Sequence, residues 1–344
     1  MNIDSSARNE ILFAKGFEEL SAHIGANGRN AFWIVDANTS RMVRPLPEPN
    51  VILPPGESAK NWDSVTQILQ AASRERLAEN TRFIGFGGGT VCDAAGFAAS
   101  LYNGGCQLTL IPTTLVAMAD SCLGDEHRVN FSNTRSMVFS RHRADQILIC
   151  IQALDSLPSN TYRTGLSQII RNCAIAPDPT LYVFMIKNRA GINSRDPEIL
   201  GRLIRLSLTI KQEVLNTSPV SLSLGNDFSD AFLQHDRMKN WSYGESLAWG
   251  LGRSIEAGMN LGLTDPQFGK NILSLLEFFG FDTSYRLSRG QWLDFRDQLA
   301  KQPRRSGQLV QFVLPCNQGT TVLQALDWDL LRGLVIRQAI EQEQ

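Results

Sequence analysis

Long apolar runs are missing from this chain. None of its 344 residues falls in a stretch approaching the roughly 18 apolar residues that span a bilayer, so no membrane partner is expected. The start, MNIDSSARNE, lacks the basic-then-apolar plan of a secretory signal, and a cytoplasmic location is the expectation. An excess of either charge is missing too. Lys and Arg number 33 against 34 Asp and Glu, a net charge of -1, which argues against nucleic acid as a partner. Six cysteines (Cys92, Cys106, Cys122, Cys150, Cys173 and Cys316) are scattered without a C-x-x-C pair, which excludes a compact zinc ribbon or a disulfide frame and leaves small buried residues. Histidine is scarce, at four residues. There is no internal repeat and no low-complexity tract.

What is present centres on residues 83–121. The apolar run Arg82-Phe83-Ile84-Gly85-Phe86 breaks into Gly87-Gly88-Gly89 and continues in a small-residue helical pattern. Glycines at such a strand–turn–helix junction let a phosphate approach the backbone, and the helix start offers unpaired N–H groups and a positive dipole end. A turn selected only for packing explains the triplet equally well. Ahead of it, Ala31–Val35 reads as a buried strand ending at Asp36, which could accept from a ribose hydroxyl or cap the next helix. Gly16–Gly25 and Asn61–Ala78 read as helices, and Val51–Leu53 and Gln107–Ile111 as strands. From about residue 160 helical periods dominate: 196–214, 243–261, 266–279 and 288–300, with a hairpin-like strand at 307–315.

Three further motifs follow the glycines in order: Pro112-Thr113-Thr114 after an Ile, Asp120-Ser121, and Ser156-Leu157-Pro158. With Leu53-Pro54-Pro55-Gly56-Glu57 and Lys60 upstream, these residues resemble the dehydroquinate synthase family of sugar phosphate cyclases over most of the chain. The resemblance implies a Rossmann-like parallel-sheet α/β domain at residues 1–158 and a mainly α-helical domain at 159–344. It implies NAD as cofactor, bound through Asp36, Glu57, Lys60, Gly87, Gly88, Gly89, Asp93, Thr113 and Thr114. It also implies active-site roles for Asp120, Arg171 and Lys211, a small-molecule ligand, and a homodimer.

The family's chemistry requires a divalent metal held by one Glu and two His, and here the resemblance breaks. The G-L-A-E helix reads Gly165-Leu166-Ser167-Gln168, L-G-H-T reads Leu224-Gly225-Asn226-Asp227, and H-G-E reads Tyr243-Gly244-Glu245. Amides and a phenol are poor zinc ligands, so no zinc is expected. The phosphate grip is depleted as well: Y-x-R-G reads Tyr102-Asn103-Gly104, and G-G-K-T-G reads Gly124-Asp125-Glu126-His127-Arg128. Arg171 and Lys211 keep cations at two family lysine positions, with Arg304 as a candidate third. A replacement hard-cation site from Asn226, Asp227, Asp230, His235, Asp236 and Glu245 is the weaker expectation against polar loop and helix-start residues. His127 and His142 are available as acid-base groups near pH 7, but in a segment rich in Arg and Asp they read as solvated-loop histidines. Three functions follow from the resemblance. One is an NAD-binding member without the parent cyclase activity. The second is an active NAD-dependent, metal-independent cyclase, lyase or oxidoreductase on a related sugar phosphate or cyclitol. The third, least supported, is an ordinary 3-dehydroquinate synthase.

Overall fold

A computed structural model describes residues 10–14, 16–25, 30–132, 134–234, 241–301, 305–306 and 309–336. The chain divides into two compact units, Met1–Pro158 with Ser194–Ile204, and Ser159–Asn193 with Arg205–Gln344.

In the first unit the order is β1 (Glu10–Ala14), α1 (Phe17–Gly25), β2 (Ala31–Asp36), β3 (Asn50–Leu53), α2 (Trp62–Arg74), β4 (Arg82–Gly87), α3 (Gly89–Leu101), β5 (Leu108–Pro112), β6 (Glu126–Phe131), β7 (Thr134–Arg141) and β8 (Gln146–Cys150). Six strands form one parallel sheet in the order β1-β8-β5-β4-β2-β3. The central strands are buried on both faces, which is why they read as unbroken apolar runs rather than alternating ones. Asn61 caps α2 by accepting from the Ser64 N–H at 2.9 Å. From β2 the chain steps outward to β3, then returns past β2 to β4 and on to β5. The carboxyl ends of β2 and β4 therefore flank the point where strand order reverses, the place where open α/β sheets bind ligands. β6 and β7 form a separate antiparallel hairpin packed on α3.

The second unit holds α4 (Ser159–Ile175), α5 (Thr180–Lys187), most of α6 (Arg189–Ser194), the later turns of α7 (Pro197–Thr217), α8 (Asn226–Leu233), α9 (Tyr243–Asn260), α10 (Pro266–Phe278), α11 (Arg289–Leu299), a small antiparallel sheet of β9 (Arg305–Ser306), β10 (Leu309–Pro315) and β11 (Thr321–Leu326), and α12 (Trp328–Val335). Ser242 and Ser288 close capping boxes with Glu245 and Gln291, so the starts of α9 and α11 follow local chemistry. The core gathers Phe228, Phe232, Trp249, Phe295 and Phe312. All six cysteines are free, and all but Cys316 are buried. No described helix is long and apolar enough to cross a membrane.

Candidate functional site

The glycine turn in the first unit is built for close approach. A Cβ on Gly87 would lie 2.6 Å from Val91, one on Gly88 3.0 Å from Thr114 Cγ2, and one on Gly89 3.1 Å from Ser121 Oγ. Packing alone thus explains part of the triplet. Gly88 is the N-cap of α3 and brings no capping side chain, leaving the first N–H groups of a 13-residue helix available to an anion. Thr113 donates its N–H to the Gly87 carbonyl at 2.9 Å, and Thr114 Oγ1 accepts from Ala117 N at 3.2 Å, fixing this turn against the segment after β5. Ser121 Oγ is buried beside Gly89 with no hydrogen-bond partner among the described residues. Asp120 sits inside the π-helical turn Ala117–Ser121 rather than at its N-cap, which is Val116.

Asp36 lies at the end of β2. Its Oδ1 accepts from the N–H groups of Asn38 and Thr39, both at 2.8 Å, so it caps its own turn. Thr39 Oγ1 in turn donates to the Phe86 carbonyl at 2.9 Å, tying this turn to the end of β4. Glu57 is half exposed, and its Oε1 takes Arg135 Nη2 and Asn130 Nδ2, each at 3.2 Å. Lys60 Nζ is paired with Asp93 Oδ2 at 2.6 Å, and Asp93 is buried on α3. Burial works against the Lys60 charge, but the Asp93 and Glu57 carboxylates outweigh it and hold its pKa above the usual lysine value. The open α3 terminus, the glycine turn and Asp36 at the switch point fit an NAD dinucleotide.

His127 corrects the solvated-loop expectation: it is a β6 residue, 3% exposed, whose Nε2 bonds the His142 carbonyl at 2.7 Å. Alternation explains it, since β6 turns His127 and Val129 toward α3. His142 follows β7 and places Nε2 2.8 Å from the Cys106 carbonyl. The only sequence signal for a buried His127 was Gly96 on α3, where a Cβ would collide with three atoms of its ring.

In the second unit, α4 and α9 meet where Gly244 has no Cβ to strike Thr164. This brings Gln168 Nε2 to 3.3 Å from the Tyr243 hydroxyl. Gln168 is buried, and its Oε1 has no hydrogen-bond partner among the described residues; the same holds for Asn226 Oδ1 at the start of α8. Gly225 precedes it with φ +83, a left-handed conformation natural to glycine. Arg171 and Lys211 are both buried, on α4 and α7, and Asn172 Nδ2 donates to Ser207 Oγ at 2.8 Å to join those helices one turn away. Gln168, Asn226 and Tyr243 do not fit a zinc ion: two neutral amides and a phenol lack the thiolate, imidazole or carboxylate donors zinc requires. Among the described residues no three His, Cys, Asp or Glu side chains gather to hold a metal. Glu245 is spent on the Ser242 capping box and on Arg163 Nη2 at 3.0 Å. His235, Asp236 and Arg304 lie outside the described residues.

Residues 50–164 match the family model of the 3-dehydroquinate synthase N-terminal domain. The chain is 28% identical over 273 residues to 3-dehydroquinate synthase of Dictyoglomus thermophilum, covering 77% of this chain and 75% of that protein. It is 29% identical over 286 residues to that of Solibacter usitatus, covering 81% and 79%. Among solved structures, a 2-epi-5-epi-valiolone synthase from Streptomyces hygroscopicus with NAD+ and Zn2+ bound superposes with TM-score 0.83 at 18% identity, over 97% of both chains. A 2-deoxy-scyllo-inosose synthase complexed with carbaglucose-6-phosphate, NAD+ and Co2+ gives TM-score 0.84 at 18% identity, over 94% of this chain and 95% of that one.

Proposed function

Because the chain belongs to the dehydroquinate synthase family, we propose that it is an NAD-binding member that has lost metal-dependent cyclisation. The observation that carries this reading is the contact of Gln168 with Tyr243 at two of the three ligand positions. An amide hydrogen-bonded to a phenol stands where a carboxylate and an imidazole would grip a metal. Dinucleotide binding is supported by the uncapped start of α3, the glycine turn and Asp36 at the strand-order reversal. In this reading the α3 N–H groups would hold the pyrophosphate, Asp36 would take an adenosine ribose hydroxyl on its second oxygen, and Glu57 and Lys60, the latter paired with Asp93, would contact ribose. Bound NAD would supply hydride acceptance and return.

Loss of phosphate from a sugar phosphate builds negative charge that a metal or several cations must hold. Arg171 and Lys211 supply two buried cations, and Glu126 now puts a negative charge where the family has a lysine. That balance favours a chain without standard 3-dehydroquinate synthase turnover. Retention of Arg171 and Lys211 favours, as a second reading, NAD-dependent chemistry on a different small anionic polyol.

Calorimetric titration with NAD, metal analysis and a turnover assay with and without zinc on one sample test the proposal. NAD binding with no bound metal and no turnover is expected. One equivalent of zinc with turnover would overturn it, and absence of NAD binding would remove its cofactor half.

A further inference from the structure

The β6–β7 hairpin seats a histidine beneath the Lys60–Asp93 pair. Three features fix the His127 ring. Gly96 of α3 leaves room for it that any Cβ would fill. Nε2 lies 2.7 Å from the His142 carbonyl, and because a carbonyl only accepts, Nε2 carries the ring proton. Nδ1 is therefore a bare lone pair in the neutral ring. It has no hydrogen-bond partner among the described residues and faces Asp93 Oδ1 at 3.9 Å, too long for a hydrogen bond. Asp93 spends Oδ2 on Lys60 at 2.6 Å, and Oδ1 also accepts the Arg128 N–H at 3.3 Å. One buried carboxylate thus stands between a lysine ammonium and an imidazole that can acquire a proton aimed at it.

Resting on the reading that this unit binds NAD through Lys60 and Asp93, we propose that His127 is a positioning residue of the cofactor site, acting through Asp93 on Lys60. With the ring neutral, Asp93 belongs to Lys60. With Nδ1 protonated, Asp93 Oδ1 gains a charged donor, its hold on Lys60 weakens, and the ammonium becomes available to the dinucleotide. The added positive charge also favours an anionic ligand. Other charged groups acting on the ring are Asp125 and His142 at the open end of the hairpin, the first favouring and the second opposing its protonation. Burial is the largest influence and keeps the ring neutral at pH 7 by lowering its pKa from 6.5, with Asp93 pulling the other way.

The test is NAD titration calorimetry at pH 5.5, 6.5 and 7.5 on the full chain, on His127→Gln and on His142→Gln. In His127→Gln the amide can still donate to the His142 carbonyl but cannot ionise. The wild type is expected to bind NAD about five- to tenfold more tightly at pH 5.5 than at pH 7.5. His127→Gln should be flat across this range, and His142→Gln should keep the slope. By reciprocity NAD must raise the titration midpoint of His127, read from its ring Cε1–H resonance in the wild type, so the proposal stays testable if the variant does not fold. NAD binding with a flat wild-type profile, or a slope surviving in His127→Gln, overturns the role of His127 alone. No NAD binding at any pH overturns the cofactor reading and this proposal with it.

Discussion

In the proposed reading, Gln168 is where one atom type closes off a chemistry. Replacing a carboxylate oxygen by an amide nitrogen turns half of a metal ligand into a donor, and here that donor is turned to Tyr243. If the missing ligands are what exclude zinc, supplying them must restore it. The triple variant Gln168→Glu, Asn226→His, Tyr243→His should purify with about one zinc per chain by elemental analysis, the stoichiometry of a closed one-Glu, two-His set. Asp36 separates two roles that the sequence left equal. Asp36→Asn keeps an oxygen for the Asn38 and Thr39 N–H groups, so chemical denaturation should move by less than about 0.5 kcal/mol, while, if Asp36 takes a ribose hydroxyl as proposed, loss of its charge should weaken NAD about tenfold by calorimetry. Gly96→Ala would drive a methyl into the His127 ring and should cost about 1–3 kcal/mol in urea unfolding.

The element-scale unit is α3 with the hairpin laid on it. Asp93 joins them, so Asp93→Ala strands a mostly buried ammonium and should destabilise the fold by about 2–3 kcal/mol. This lies at or below the range for a fully buried pair because Lys60 keeps some solvent contact. The pH dependence follows from two shifts. Lys60 has a folded pKa above 10.5, so its contribution is intact below 10.5 and lost as pH rises through the raised value. His127 has a folded pKa below 6.5, so the unfolded chain binds its proton more readily and stability declines as pH falls from 6.5 toward that lower value. Thermal unfolding from pH 5 to 11 should therefore fall at both ends, and His127→Gln should remove part of the acid-side decline. Helices with strong local signals were legible in the sequence at this scale: α2, α9, α10 and α11 fall within a few residues of their apolar periods because Asn61, Ser242, Asp265 and Ser288 cap them. The hairpin was not legible. Its residues Arg128, Asn130, Arg135 and Arg141 carry the composition of a loop, and only pairing across the ladder makes strands of them.

For the molecule as a whole, a ligand that binds only the folded state stabilises it by mass action. NAD at about 100 times its Kd should add about 2.7 kcal/mol. EDTA should leave both that gain and the baseline melting temperature unchanged, since Gln168, Asn226 and Tyr243 offer no zinc to remove. A drop in melting temperature with EDTA would show a structural metal.

Sequence by itself determined the local and the periodic: buried central strands, capped helices and the glycine turn. These are readable because strand burial, helix capping and close backbone approach each require particular residues at short spacing. Tertiary structure decided what depends on residues far apart in the chain. It set the strand order that puts Asp36 and Gly87 at a reversal point, the burial of His127 over Gly96, the capture of Lys60 by Asp93, and the meeting of Gln168 with Tyr243 across 75 positions. The physical reason is that hydrogen bonds and ion pairs are short-ranged, so a side chain's partner is fixed only when packing has brought the two backbones together.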